Sequence, residues 1–125
     1  MNPFLAVAAG LASLGGVLHS VLGERLILGR LSAGALPEVL GSSEFTKRIL
    51  RLMWHAISIA WWGLAAVLIV LASLPDLDAT AERIATVVAL TFLASSLFSF
   101  VETRGKHFSW ALFLAIAGIT WLGIR

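Results

Sequence analysis

The chain has three histidines, at positions 19, 55 and 107, and each has a charged residue within five positions in an otherwise apolar sequence. Imidazole nitrogens and carboxylate oxygens are the donors that zinc, iron and copper accept. His19, His55 and His107, with Glu24 and Glu102, are therefore the candidate metal ligands. Two imidazoles from facing helices can instead hold a haem iron, and guanidinium groups pair well with its propionates. On that reading His19, His55, His107, Arg48 and Arg51 are the candidate cofactor contacts. The plainer alternatives are interhelical hydrogen bonding for His55, interfacial positions for His19 and His107, topology-setting arginines, and an ion pair from Glu102 to Arg104 or Lys106. No nucleophile, base and orienting acid stand out as a catalytic set.

The spacing around His55 adds a face to the inventory. Arg48, Arg51, His55, Ser58 and Trp62 step by three and four residues, which is one stripe of a helix. Thr91, Ser95, Ser99 and Glu102 form a second polar stripe, and Ala8, Ala12, Gly16 and Ser20 form a small-residue stripe that permits close helix approach. In a lipid-embedded segment, charged groups turn towards other helices or a wet cleft, so these stripes should face inward. Two short strings mirror each other, "HSVLGE" and "ETRGKH". Their five-residue spacing does not put His and Glu on one helical face, so neither is a ligand pair borne on one helix.

Composition says what must position these groups. Of 125 residues, 59% are hydrophobic and 13% charged, about half the charge of an ordinary soluble domain; the mean hydropathy is +0.96. The absence of cysteine excludes disulfides, thiolate metal sites and iron–sulfur clusters. A net charge of +2 with no basic run gives no support for nucleic acid. The pattern predicts an all-α integral membrane protein, a compact up-down bundle of four transmembrane helices forming one domain over 1–125. The spans are placed at about 3–22, 48–74, 82–103 and 107–124, near the ~17–25 residues a helix needs to cross a bilayer, with a loop over 23–47. Within that loop, "ERLILGRL" has the makings of a short surface helix, and Ser43 of a cap on an extended second helix. Pro75 ends the second span, Asp78 or Thr80 caps the third, and Gly105 turns the corner into the fourth.

Charge distribution orients the bundle. The first loop with the start of span two, and the Gly105 corner, carry seven of the nine basic residues; Arg83 and Arg125 are on the other side. Basic residues collect on the cytoplasmic face, which predicts a multi-pass protein of the cytoplasmic membrane with both termini outside. All three histidines then fall in the inner leaflet. The expected activity is ligand or cofactor binding there, with haem or a transition metal as occupant. The alternatives are an accessory or assembly subunit of a larger membrane complex and an oligomeric transporter or channel. Expected partners are the bilayer itself, an anionic lipid or small molecule, and further copies of the chain or a larger assembly.

Overall fold

A computed structural model describes all 125 residues, Met1–Arg125. Four helices account for most of them: α1 (Pro3–Leu26), α2 (Ser43–Ala72), α3 (Ala79–Thr103) and α4 (Ser109–Ile124), with single 3-10 turns at Leu28–Arg30 and Ala33–Ala35. The protein is all-α. The first three helices are long and apolar enough to cross a membrane, and α4 is apolar but shorter. At about 1.5 Å per residue, its 16 residues reach about 24 Å, short of the ~30 Å hydrocarbon layer. The predicted span over 107–124 is shortened because the corner takes more chain than its glycine alone. Arg104 and Gly105 both adopt left-handed backbone, with φ of 52° and 72°, and the Gly105 N–H returns to the Phe100 carbonyl. A left-handed residue after the last helical turn is how helices commonly stop.

Other boundaries move for equally local reasons. α1 runs on to Leu26, so Glu24 and Arg25 belong to the helix rather than to the loop, and "ERLILGRL" is split between the end of α1 and a 3-10 turn. At the start of α2 it is Ser42, not Ser43, whose hydroxyl accepts a backbone N–H, from Phe45 at 3.1 Å. Asp78 caps α3 by accepting from the N–H groups of Thr80 and Ala81 at 3.0 and 2.8 Å, which satisfies two donors that the helix itself cannot. α2 ends at Ala72, three residues before Pro75.

The chain divides into two compact units. One comprises 1–13 and 63–125 and contains segments of all four helices. Phe92 meets Phe113 and Ser96 meets Trp110, so α3 and α4 run antiparallel. Asn2 ties three helix ends together: its side-chain oxygen accepts from the Phe4 and Leu5 N–H groups, its amide donates to the Gly123 carbonyl at 2.7 Å, and its backbone N–H donates to the Ala72 carbonyl at 2.8 Å. The start of α1 therefore lies beside the ends of α2 and α4, an up-down arrangement. Leu5, Ala8, Ala12, Leu68, Ala85, Phe92 and Ile116 are buried. A Cβ on Gly123 would come within 2.8 Å of Leu5 Cδ2, so a side chain there would separate α4 from α1.

The second unit, 14–62, holds the remainder of α1, the connecting segment and the first part of α2. Here the two helices pack closely because glycines on α1 receive indoles from α2. A Cβ on Gly16 would lie 2.6 Å from Trp62 Nε1, and one on Gly23 would lie 2.0 Å from Trp54 Nε1. The connecting segment closes in a tight turn, with positive φ at Leu40 and Gly41. Thr46 staples that turn by donating its hydroxyl to the Pro37 carbonyl while accepting the Val39 N–H.

Candidate functional site

The small-residue stripe of α1 and the polar stripe of α2 meet within residues 14–62, and their meeting builds the site. Ser20 and Glu24 are four apart on α1; Arg51, His55 and Ser58 step by four and three along α2. Antiparallel packing sets Glu24 opposite Arg51 and His55, and Ser20 opposite His55 and Ser58. Arg51 grips the Glu24 carboxylate with two parallel bonds, Nη2–H to Oε1 at 2.7 Å and Nε–H to Oε2 at 3.1 Å. This is the fork geometry that makes guanidinium–carboxylate pairs directional as well as strong. His55 Nε2 faces Glu24 Oε2 at 3.4 Å, and its Nδ1 lies 2.9 Å from Ser20 Oγ. The Ser20 hydroxyl in turn donates to Ser58 Oγ at 2.9 Å.

The Ser20 and Ser58 hydroxyls and the His55 ring can pass their protons along this chain in either direction. With its proton on Nε2 the imidazole donates to Glu24 and accepts from Ser20; with its proton on Nδ1 it donates to Ser20 and turns an Nε2 lone pair towards the carboxylate. In the second tautomer two acceptors face each other, an arrangement that accommodates a cation between them. The outer end of the site is open, with Arg51, Glu24 and His55 side chains 44%, 39% and 35% exposed, whereas Ser58 is fully buried. A continuous hydrogen-bonded chain thus runs from an accessible ion pair to a buried hydroxyl.

His19 points elsewhere on the same pair of helices. Its ring stacks on Trp54 at 4.6 Å and 6° and meets Trp61 at 4.9 Å and 56°. The Trp54 Nε1–H donates to the His19 carbonyl at 2.9 Å. Backbone and ring of one residue therefore hold the indole that fills the space over Gly23. Arg48 is exposed on α2, one turn before Arg51, and takes no part in the ion pairs.

The two remaining predicted donors lie in the unit that contains α3 and α4. His107 is exposed and acts locally: its Nδ1 accepts the Ser109 N–H at 3.2 Å and lies 2.7 Å from the Ser109 hydroxyl, so the ring covers the first turn of α4. Glu102 is exposed at the end of α3, and the expected ion pair with Arg104 or Lys106 does not form, since both ion pairs of the protein belong to Glu24. No three His, Asp or Glu side chains gather closely enough to hold a metal ion. The stripe expected on α3 turns inward only in part. Thr91 and Ser95 return their hydroxyls to carbonyls four residues back, whereas Ser99 of the same stripe does face α4, meeting the Ser109 hydroxyl, and Ser96, outside the stripe, donates to the Trp110 carbonyl at 2.7 Å.

Ser20 is the site residue that sequence reasoning missed. It was legible as one of the small residues of α1, but its pairing with Glu24 at i, i+4 was hidden by ending the first helix at residue 22. A helix carried one turn further, to Leu26, would have set Ser20–Glu24 against Arg51–His55–Ser58 as two complementary stripes. No family model, curated protein or solved structure matches this chain.

Proposed function

We propose that this chain is a small polytopic protein of the cytoplasmic membrane that binds a transition-metal ion between His55 and Glu24, at the end of the helices that faces the cytoplasm. One observation carries the reading: His55 Nε2 and Glu24 Oε2 stand 3.4 Å apart, and with the imidazole proton on Nδ1 both atoms are acceptors. Metal–ligand bonds of about 2.0–2.2 Å at tetrahedral angles separate neighbouring donors by roughly that distance. The Ser20 contact supports it, because ligating histidines are generally oriented by a hydrogen bond from the other ring nitrogen. Two protein donors leave coordination positions for water or an external ligand, and Arg51 beside them favours an anionic one. A haem suits the site less well, since Nε2 looks at a carboxylate instead of open space. The orientation rests on the distribution of basic residues.

The same spacing supports a second reading, in which a proton fills the gap and His55 is an imidazolium paired with Glu24. Metal analysis separates the two. Protein purified without chelator and titrated with Co2+ should show the absorption of a bound ion at one equivalent, lost in His55→Ala and in Glu24→Gln. A wild-type protein that takes up no zinc, copper, iron or cobalt would sink the metal reading. Nitrogen-15 spectra showing protons on both His55 ring nitrogens would then establish the proton in its place.

A further inference from the structure

The unit formed by 1–13 and 63–125 carries an apolar groove between α2 and α3. Leu64 and Val67 of α2 form one wall, Ile84, Val87 and Val88 of α3 the other, and Thr80 and Arg83 stand at one end; its volume is about 370 Å³. Arg83 is the feature that calls for an explanation. It is exposed in the second turn of α3, and three acids lie near it in sequence, yet none neutralises it. Asp78 is committed to the backbone N–H groups of Thr80 and Ala81, and the protein's ion pairs are both made by Glu24. A guanidinium clear of carboxylates, at the end of an apolar trough, presents a cationic head beside a hydrophobic slot.

The position of Arg83 along α3 says what fits. The helix has 25 residues, about 37 Å at ~1.5 Å per residue, so it exceeds the ~30 Å hydrocarbon layer by a few ångströms at each end. Arg83 lies about 6 Å in from Ala79 on the same rise, at the boundary between acyl chains and headgroups. From there an arginine stem lies along apolar surface while its head reaches the phosphate level. We infer that this groove is a binding site for one anionic phospholipid: an acyl chain lies between Leu64, Val67 and Ile84, and the headgroup phosphate accepts from Arg83 with help from the Thr80 hydroxyl. The occupant must be a bilayer lipid, because the cation and the apolar slot are joined and a free anion would use only one of them. The site stands independently of the cation site at His55.

The test uses the full-length protein in mild detergent, offered phosphatidylglycerol and phosphatidylcholine of matched chains, with bound lipid counted by native mass spectrometry. Wild type should retain one lipid and prefer phosphatidylglycerol by about fivefold, the scale of one basic residue at an anionic surface. Arg83→Gln should still bind a lipid but lose the preference. Val67→Trp should fill the trough and lose lipids of both kinds, with circular dichroism confirming that its helices remain. An unchanged headgroup preference in Arg83→Gln would overturn the proposal, and this exposed substitution does not disturb the fold. Retention of one lipid by a folded Val67→Trp protein would overturn it equally.

Discussion

Two seams of this molecule use hydroxyl groups in different ways. Along α3, side-chain hydroxyls are mostly spent on main-chain carbonyls: Ser96 on Trp110, Thr103 on Ser99, Thr91 on Val87 and Ser95 on Thr91, while towards the start of α4 the Ser99 hydroxyl meets that of Ser109, which also meets His107 Nδ1. Trp110 donates its indole N–H to the Gly105 carbonyl, as Trp54 of α2 does to the His19 carbonyl. Where α1 meets α2 within 14–62, five polar side chains bond one another in series, from Arg51 through Glu24, His55 and Ser20 to Ser58. A hydroxyl given to its own backbone is neutralised without reference to any other residue, and it serves helix geometry. A chain of side chains leaves groups whose protons can move and whose lone pairs can be offered elsewhere. The ion pairs and the longer series of bonded side chains belong to the α1–α2 seam.

The strongest way to break the contrast is to force the α1–α2 seam apart. Gly23 has no room for a side chain because Trp54 sits over it, 2.0 Å from where a Cβ would be, and Trp54 is itself held by the ring and carbonyl of His19. Gly23→Leu should destabilise the protein in detergent by about 3 kcal/mol, the upper end of ordinary overpacking, and should remove any ion bound at His55. A melting temperature equal to wild type would show that the indole swings away freely. Gly16→Leu, against Trp62, should cost about 1–3 kcal/mol by the same argument.

Asn2 offers the next largest effect, in the other unit. Its side chain caps α1 and holds the Gly123 carbonyl of α4. Asn2→Ala should cost about 2 kcal/mol, a lost cap plus a lost hydrogen bond, measured by thermal or denaturant unfolding. Metal uptake at His55 should survive below the melting transition. Loss of the bound ion at a temperature where the protein remains folded would show that the Asn2 cap also supports the His55 site.

How much of this could be read from the sequence follows from what each signal depends on. Helix existence was legible because runs of apolar residues are long, and the αL corner was legible because Gly105 follows a helix end. The stripe on α2 was legible because a charged residue in lipid has few places to go, and Arg51, His55 and Ser58 do turn towards α1. The stripe on α3 holds at Ser99, which meets Ser109 of α4, and fails at Thr91 and Ser95 on chemistry that periodicity ignores. Thr91 and Ser95 can satisfy themselves on carbonyls one turn back, so nothing compels them inward, and Ser96, one position over, is buried instead. His107 lies beside a helix start, where an imidazole can act as a cap, as its Nδ1 does towards the Ser109 N–H. Glu24 was recognised as a donor but placed in a loop, because two charged residues at 24 and 25 look like an ending when they are the last turn of α1.

Single hydroxyl deletions give the smallest effects and sharpen the comparison most. Ser96→Ala should cost about 1 kcal/mol, one hydrogen bond at a buried position, with no change in ion binding. Ser95→Ala should change stability by less than about 0.5 kcal/mol, since its hydroxyl only returns to its own helix. Ser20→Ala should, like Ser96→Ala, cost about 1 kcal/mol, since it takes a partner from the buried Ser58 hydroxyl, and it removes the group bonded to His55 Nδ1 as well. The Nδ1–H tautomer, whose Nε2 lone pair is aimed at Glu24, then loses its acceptor. A tenfold to hundredfold loss of metal affinity is the scale of losing such an orienting partner, with Ser20→Thr restoring it because the hydroxyl returns. His55 ring resonances followed by nitrogen-15 NMR should shift in Ser20→Ala and not in Ser96→Ala or Ser95→Ala. Equal responses in all three variants would mean that the two seams differ only in where their hydroxyls point, and that Ser20 belongs to the packing.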